Sequence, residues 1–106
     1  MRHEEILIIE SEHPALVGHF PGNPVVPAVV ILEKVFEALR KALPDPIRIS
    51  MIPQAKFISP LRPEESLIIR LESEEPGEAT FTCHVDSRLI SSGSVHFTRR
   101  EKEWDG

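Results

Sequence analysis

The stretch from Gly18 to Leu39 constrains the fold of this chain more than any other part of the sequence. It begins as a loop with prolines at positions 21, 24 and 27, and each proline disfavours helical geometry in the residue before it. Pro27 also stands where proline is favoured, in the first turn of a helix. The sequence therefore predicts a stiff loop that leads directly into a helix starting at Ala28.

The helix predicted after Pro27 has an unusually wide apolar surface. Its apolar side chains fill about half of the helical circumference, and its charged side chains share the other half with Val30. Pro44 and Pro46 end the pattern. Because a helix on one flat sheet needs a narrower apolar face, we expect a curved sheet, or a sheet and a partner subunit, to enclose it. The apolar positions are Ala28, Val29, Ile31, Leu32, Val35, Phe36, Ala38, Leu39, Ala42 and Leu43.

Apolar residues alternate with a period of two before and after this helix, which is typical of β-strands. The first strand is predicted from Glu4 to Glu10, and a long, bent strand from Ile47 with a break at Pro53. One long helix and about five strands, mostly in series after the helix, predict an α+β fold with a curled antiparallel sheet. The remaining strands are expected at 67–72, 80–85 and 89–98.

Length and composition limit the class of protein. With 106 residues, of which 41% are hydrophobic and 27% charged, residues 1–106 are predicted to form one globular domain without a membrane partner. A formal net charge of -5 argues against a nucleic-acid partner, because phosphate binding needs clustered Lys and Arg. The N-terminus lacks the pattern of a secretory signal, and the lone Cys83 cannot form an internal disulfide. We therefore expect a cytoplasmic protein.

The sequence predicts no cofactor and no metal site. His3, His13, His84 and His96 are scattered, with no pair at ligand spacing on one element. Cys83 and His84 are neighbours in a predicted strand, so their side chains should point to opposite faces and should not act as a pair. Cys83 is expected in the core.

The run from Gly18 to Glu33, which reads GHFPGNPVVPAVVILE, closely resembles the signature of the (3R)-hydroxyacyl-acyl-carrier-protein dehydratases of the FabZ and FabA type. That signature is G-H-F-P-x-x-P-x-x-P-G-V-L-x-x-E, and the spacing from histidine to acid matches without a gap. The segment Lys56–Pro63 also resembles the K-F-x-x-P-V-x-P strand and turn of this family.

The resemblance implies a hot-dog fold, in which an antiparallel sheet wraps one long helix and two protomers pair their sheets. It implies a homodimer, or a dimer of dimers or trimer of dimers, in which His19 of one protomer faces Glu33 of the other. The implied enzyme is a hydro-lyase of fatty-acid or related acyl-chain synthesis. It converts a 3-hydroxyacyl thioester of acyl carrier protein, or of coenzyme A, into the trans-2-enoyl thioester.

The chemistry of this reaction explains why these residue types are needed. A base must remove a proton from C2 while an acid delivers a proton to the departing C3 hydroxyl. Neutral imidazole suits the first role and a carboxyl group the second, which makes His19 and Glu33 the candidate pair. The amide of Ala28, at the start of the helix, is a candidate donor to the thioester carbonyl. The resemblance assigns substrate contacts to Phe20, Pro27, Val29, Leu32 and Phe36.

The chain departs from the family pattern at several positions. Ala28 replaces a glycine, Lys34-Val35-Phe36-Glu37 replaces A-M-A-Q, and Glu64-Glu65 replaces Gly-Asp. We expect Phe36 to shorten or reshape the acyl tunnel. Two alternatives remain open, a hot-dog acyl thioesterase and a non-catalytic acyl-thioester-binding module. Since carrier proteins are acidic, docking would need a local basic patch, for which the candidates are Arg62, Arg99 and Arg100.

Overall fold

A computed structural model describes residues 1–14, 16 and 24–100. Within them the five strands form one antiparallel sheet in the order β1-β3-β4-β5-β2, which confirms the predicted α+β architecture. The helix begins at Ala28, as predicted. The elements are β1 (Arg2–Ile8), α1 (Ala28–Ala42), β2 (Ile47–Phe57), β3 (Ser66–Glu72), β4 (Glu78–Val85) and β5 (Arg88–Arg99).

Strand β1 lies two residues earlier in the chain than the predicted strand from Glu4 to Glu10. It pairs with β3 from Arg2, opposite Glu72, to Ile8, opposite Ser66. Ile9 follows the strand and is buried, with its carbonyl accepting a hydrogen bond of 2.9 Å from the amide of Glu64. Pairing with β3, rather than the position of the aliphatic run, sets the bounds of this strand.

Strand β2 continues through Pro53, although its alternation changes there. Its pairing with β5 shifts register between Ile49 and Met51 and again between Met51 and Gln54. The apolar alternation predicts that Ile47, Ile49 and Met51 share one face of the strand. The first shift interrupts this alternation, and Met51 is exposed whereas Ile47 is buried and Ile49 half-buried. Proline is tolerated in β2 because Pro53 lies within the second register shift, between Met51 and Gln54, where no residue of β5 is paired with it.

The core lies between α1 and one face of the sheet. The predicted alternation is confirmed for β3 and for β4 as far as Cys83, since every second residue is buried while the residues between them are exposed or half-buried. Val85, at the end of β4, is half-buried. Cys83 is buried on this face and His84 is half-buried on the other. The buried sheet residues are Ile47, Leu67, Ile69, Leu71, Ala79, Phe81, Cys83, Ile90, Ser91 and Val95.

The buried side of α1 is rotated relative to the side that the sequence pattern predicts. Val30, placed with the charged residues by periodicity, is only 2% exposed, whereas Val29 is 60% exposed. The apolar surface of α1 is wider than the area that the sheet can cover. The sheet therefore covers only the side of the helix that carries the buried residues from Val30 to Leu39. The side that carries Val29 is left open, which agrees with the expectation of a further covering surface.

A buried thiol and a buried hydroxyl face each other where β4 pairs with β5, since Cys83 lies opposite Ser91. Burial raises the pKa of the Cys83 thiol from 9.0 to about 11, and its contact with Ser91 opposes this only in part. The Ser91 hydroxyl oxygen is buried and makes no hydrogen bond of ordinary geometry. Among the described residues, no other buried side-chain nitrogen or oxygen lacks a hydrogen bond. The contact is therefore a weak one.

We expect stability to fall between pH 9 and pH 11 because of Cys83. Below pH 9.0, the pKa of the thiol in the unfolded chain, Cys83 is protonated in the folded and in the unfolded protein. Between pH 9.0 and about 11, only the unfolded chain releases this proton, so the unfolded state is favoured. A shift of this size corresponds to about 2.7 kcal/mol, lost as the pH rises through the folded pKa. Urea unfolding of the wild type and of Cys83→Ala across this range measures the effect. Equal pH slopes in the two proteins would contradict it.

Candidate active site

The structure places the described candidate residues together at the N-terminal half of α1. Pro27 and Ala28 form the start of the helix, and Val29, Leu32, Glu33 and Phe36 follow within its first nine residues. His19 and Phe20 lie outside the described residues. The structure therefore describes two parts of the candidate site, the carboxylate of Glu33 and the backbone amides at the start of α1.

The first turn of α1 presents backbone amides rather than side chains. Pro27 has φ -60° and ψ 145°, and its carbonyl accepts hydrogen bonds from Val30 at 3.0 Å and from Ile31 at 3.4 Å. The amide of Ala28 comes before these donors, among the first-turn amides that have no acceptor within a helix. No acidic residue stands in the first turn, so no side chain of that turn offsets the positive end of the helix dipole.

The end of the proline-rich loop is fixed by the segment that follows β2. The amide of Val26 donates to the carbonyl of Leu61 at 2.8 Å, and both side chains are buried. The two stretches that resemble the dehydratase signature, separated in sequence, are thus neighbours in the fold. Sequence patterns indicated both stretches but not this contact between them.

The turn after Leu61 has a glutamate where the resembled pattern has glycine. Glu64 adopts φ 71°, a left-handed conformation that favours glycine. Its carboxylate accepts hydrogen bonds from the amide and the hydroxyl of Ser11, at 2.8 and 3.1 Å. These bonds join the turn to the chain after β1 and offset the cost of the backbone conformation.

Glu65, which stands in the place of the aspartate, holds the same turn together. Its carboxylate accepts the amide of Arg62 at 2.7 Å and pairs with the guanidinium of Arg88, which also donates to the carbonyl of Pro60 at 2.9 Å. Sequence analysis missed the role of Arg88. Glu65 itself could have indicated such a partner, because a half-buried carboxylate in a turn is stabilised by a nearby cation.

Glu33 is exposed on α1 and lies one helical turn after Val29, which is exposed as well. Leu32 and Phe36 are half-buried and pack against the core. Among the residues that the structure describes in one chain, therefore, no apolar wall covers the Glu33 carboxylate. The two charged departures from the family pattern, Lys34 and Glu37, form an ion pair with each other at 3.5 Å.

Two further features of the described residues bear on the class of site. No group of three or more His, Cys, Asp or Glu side chains among residues 1–14, 16 and 24–100 is placed to hold a metal ion. In the same part of the chain, no helix has both the length and the hydropathy that crossing a membrane requires.

Comparison with known proteins identifies the family. The profile of the ApeI-like family, described as ApeI dehydratase, matches residues 2–94. The 3-hydroxyacyl-[acyl-carrier-protein] dehydratase FabZ of Chlamydia muridarum is 32% identical, over 90% of this chain and 71% of the relative. A chain of the dehydratase heterocomplex ApeI:P from Xenorhabdus doucetiae superposes with a TM-score of 0.79 and 26% identity, over 93% of this chain and 95% of that one.

A more distant structure shares the fold alone. The fluoroacetyl-CoA thioesterase FlK superposes with a TM-score of 0.69 at 13% identity, over 93% of this chain and 86% of that one. The hot-dog fold is thus common to a thioesterase and to dehydratases, while the sequence likeness is to the dehydratases. On this likeness the chain belongs to the ApeI-like dehydratase family and is a hydro-lyase.

Proposed function

We propose that this hydro-lyase removes water from a 3-hydroxyacyl thioester at a site shared by two protomers, with His19 of one protomer as the base and Glu33 of the partner subunit as the acid. The observation that carries the proposal is the position of Glu33. It follows the exposed Val29 by one turn, on the side of α1 that the sheet leaves open. The spacing of fourteen positions from His19 matches the dehydratase signature.

The reaction assigns one task to each group. Neutral His19 takes the proton from C2, the carboxyl group of Glu33 protonates the C3 hydroxyl, and water leaves as the C2–C3 double bond forms. The thioester carbonyl gains negative charge meanwhile, and the amide of Ala28 donates a hydrogen bond to it with help from the helix dipole. The methyl group of Ala28 leaves this amide available, because a side chain does not replace the N–H.

A second copy of the chain would cover the exposed side of α1 that carries Val29 and Glu33. Strand β2 is an edge of the sheet, and its outer backbone groups are available for pairing with another strand. Met51, Ile52 and Phe57 of β2, and Ile58 after it, are exposed hydrophobic side chains. A homodimer in which two β2 strands pair would bury these side chains and bring apolar surface of one protomer over Val29 and Glu33 of the other.

The carrier of the acyl group is proposed to be acyl carrier protein, as in the name of the FabZ relatives, with coenzyme A as the alternative. Arg62 is the best placed of the three candidate docking residues, because it follows Leu61, whose carbonyl holds the loop before α1. Arg99 instead pairs with Asp45 at 3.5 Å, and the amide of Arg100 donates to Pro46. Both therefore lie beyond the C-terminal end of α1.

Substrate contacts are proposed for Phe20, Pro27, Val29, Leu32 and Phe36. Phe36 is half-buried and two helical turns beyond Val29, so its ring would limit the depth of the acyl site. We expect Phe36→Ala to raise kcat/KM for longer acyl chains relative to short ones, by roughly 10-fold for each few methylenes gained. Assays with thioesters of graded chain length measure this. An unchanged chain-length profile would exclude Phe36 as a determinant.

The proposed reaction is tested with a panel of 3-hydroxyacyl and enoyl thioesters, monitored for enoyl absorbance and free thiol in the same sample. We expect enoyl absorbance to change without release of thiol. Thiol release would support a thioesterase, and binding without turnover would support an acyl-binding module. Either result would overturn the proposed dehydration.

A further inference from the structure

One peptide group in the turn after β2 is held at both of its edges. It is the peptide group between Leu61 and Arg62. Its carbonyl oxygen accepts a hydrogen bond from the amide of Val26 at 2.8 Å, and its N–H donates to the carboxylate of Glu65 at 2.7 Å. Because a peptide group is planar, a contact at its oxygen and another at its nitrogen fix its orientation together. The loop before α1 is thus connected to the Glu65 carboxylate through a single rigid group.

The guanidinium of Arg88, at the start of β5, holds this carboxylate in place. Its Nη2 pairs with Glu65, and its Nη1 donates to the carbonyl of Pro60 at 2.9 Å. The two nitrogens belong to one planar group, so a single side chain fixes the distance between the carboxylate and the Pro60 carbonyl. The side chains of Arg88 and Glu65 are 35% and 26% exposed, which shields their charge-assisted hydrogen bonds in part from water.

Few bonds can rotate between the amide of Val26 and the amide of Ala28. Pro27 stands between them, and its ring fixes φ, which is -60° here. The side chain of Val26 is only 3% exposed, so packing in the core restrains this residue as well. A shift of the Leu61 carbonyl is therefore passed on to the amide of Ala28 rather than absorbed by the chain between them.

We propose that Arg88 is a positioning residue for the amide of Ala28, and that it acts through Glu65 and the carbonyl of Leu61. This inference rests on the proposed function, in which the Ala28 amide donates to the thioester carbonyl as negative charge develops there. A donor of this kind contributes most in the transition state. Loss of Arg88 should therefore lower kcat more than it raises KM.

Steady-state hydration of an enoyl thioester by the full chain tests the catalytic consequence. Arg88→Ala should lower kcat by about 10- to 100-fold and change KM by less than about 3-fold. The pH dependence of kcat should stay as in the wild type, because the proposed acid and base are unchanged. An unchanged kcat, a loss confined to KM or a shifted pH profile would each overturn the proposal.

The matched control is Arg70→Ala. Arg70 also pairs with a glutamate of another element, Glu4, at 2.8 Å, but it lies on the face of the sheet away from α1. Its removal tests whether the loss of any ion pair between arginine and glutamate slows the enzyme. This variant should keep the wild-type kcat, and a loss equal to that of Arg88→Ala would count against the proposal.

A double variant tests whether Arg88 and Glu65 act along one connection. Glu65→Ala removes the partner of Arg88 and the acceptor of the Arg62 amide, so its kcat should fall at least as far as that of Arg88→Ala. Adding Arg88→Ala to Glu65→Ala should then cost little more. Losses that multiply would mean that the two residues act independently and would overturn the proposed connection.

Amide hydrogen exchange, followed by NMR, tests the same connection without turnover. The amide of Val26 should exchange about 10-fold faster or more in Arg88→Ala than in the wild type. The amide of Ile69, buried in β3, should exchange at the same rate in both proteins, which excludes a general loss of stability. Arg88→Lys, a milder variant, keeps the charge but has one ammonium group for two acceptors, so it should also accelerate exchange at Val26.

The two kinds of measurement separate this inference from the proposed function. Unchanged exchange at Val26 in both Arg88 variants would overturn the inference whatever the enzyme does. Faster exchange at Val26, together with a wild type that hydrates no thioester, would refute the proposed reaction while the connection from Arg88 to the loop stands. Faster exchange without any fall in kcat would show that the connection exists but does not position a catalytic amide, which also overturns the proposal.

Discussion

His19→Ala and Glu33→Gln are each expected to lower the rate of enoyl-thioester hydration by about 100 to 10,000 fold. Each change removes a group that transfers a proton in the transition state, and Gln has nearly the size of Glu without its proton. Glu33 is exposed in the single chain, so its replacement should leave the fold unchanged. Glu37→Gln, one turn later on the same helix and also exposed, is the matched control and should retain activity.

Mixing the two inactive proteins tests whether each site is built from two chains. Co-refolding them in equal amounts gives about half heterodimers, and each heterodimer has one site with an intact His19 and an intact Glu33. Activity should return to about a quarter of the wild-type value. No recovery, with heterodimers demonstrated by mass, would mean that both residues act within one chain. Normal activity in both single variants would refute the proposed pair.

Gly93→Ala is expected to destabilise the fold by about 3 kcal/mol or more. A β-carbon at Gly93 would lie 2.2 Å from the carbonyl oxygen of Gln54 and 2.8 Å from two ring atoms of Phe81. The ring can shift, but the Gln54 carbonyl belongs to the backbone of β2. The clash therefore forces β2 away from β5, along the edge proposed to form the dimer.

Thermal and urea unfolding measure this effect, which corresponds to a fall in Tm of roughly 12 °C or more. Ser94→Ala, the next position of the same strand, is the control and should change stability by less than about 1 kcal/mol. Adding Phe81→Leu to Gly93→Ala relieves only the contact with the ring, so it should not restore wild-type stability. Wild-type stability in Gly93→Ala alone would show that β2 can move at little cost.

Much of the site could be predicted because its residues lie in one short stretch. The start of α1 at Ala28 follows from local rules on proline and helix geometry and requires no knowledge of distant contacts. The α+β class followed from the change of apolar period after Pro46 in the same way. His19 and Glu33 were instead selected by the resemblance of their stretch to the dehydratase signature, and their roles remain a prediction. The family comparisons agree with the dehydratase resemblance drawn from these motifs.

The predictions that were wrong all depended on pairing or packing between elements. The first strand lies two residues earlier because β3 sets its register, and Met51 is exposed because β2 shifts against β5. Neither effect can be predicted from the alternation of apolar residues within the strand itself. Glu64 could be identified as a departure from a glycine pattern, but its bonds to Ser11 connect residues that are far apart in sequence.

The sequence by itself determined where the helix after Pro27 begins, because the start of a helix depends on the backbone preferences of consecutive residues. It supplied the candidate acid and base through the resemblance of their motif. Only the tertiary structure decided which side of α1 faces the sheet. The periodicity of a helix defines how wide its apolar surface is. Which part of that surface is buried depends on the elements that pack against the helix. The sheet buries Val30 and leaves Val29 and Glu33 open, and this choice places the candidate acid where a second chain can complete the site.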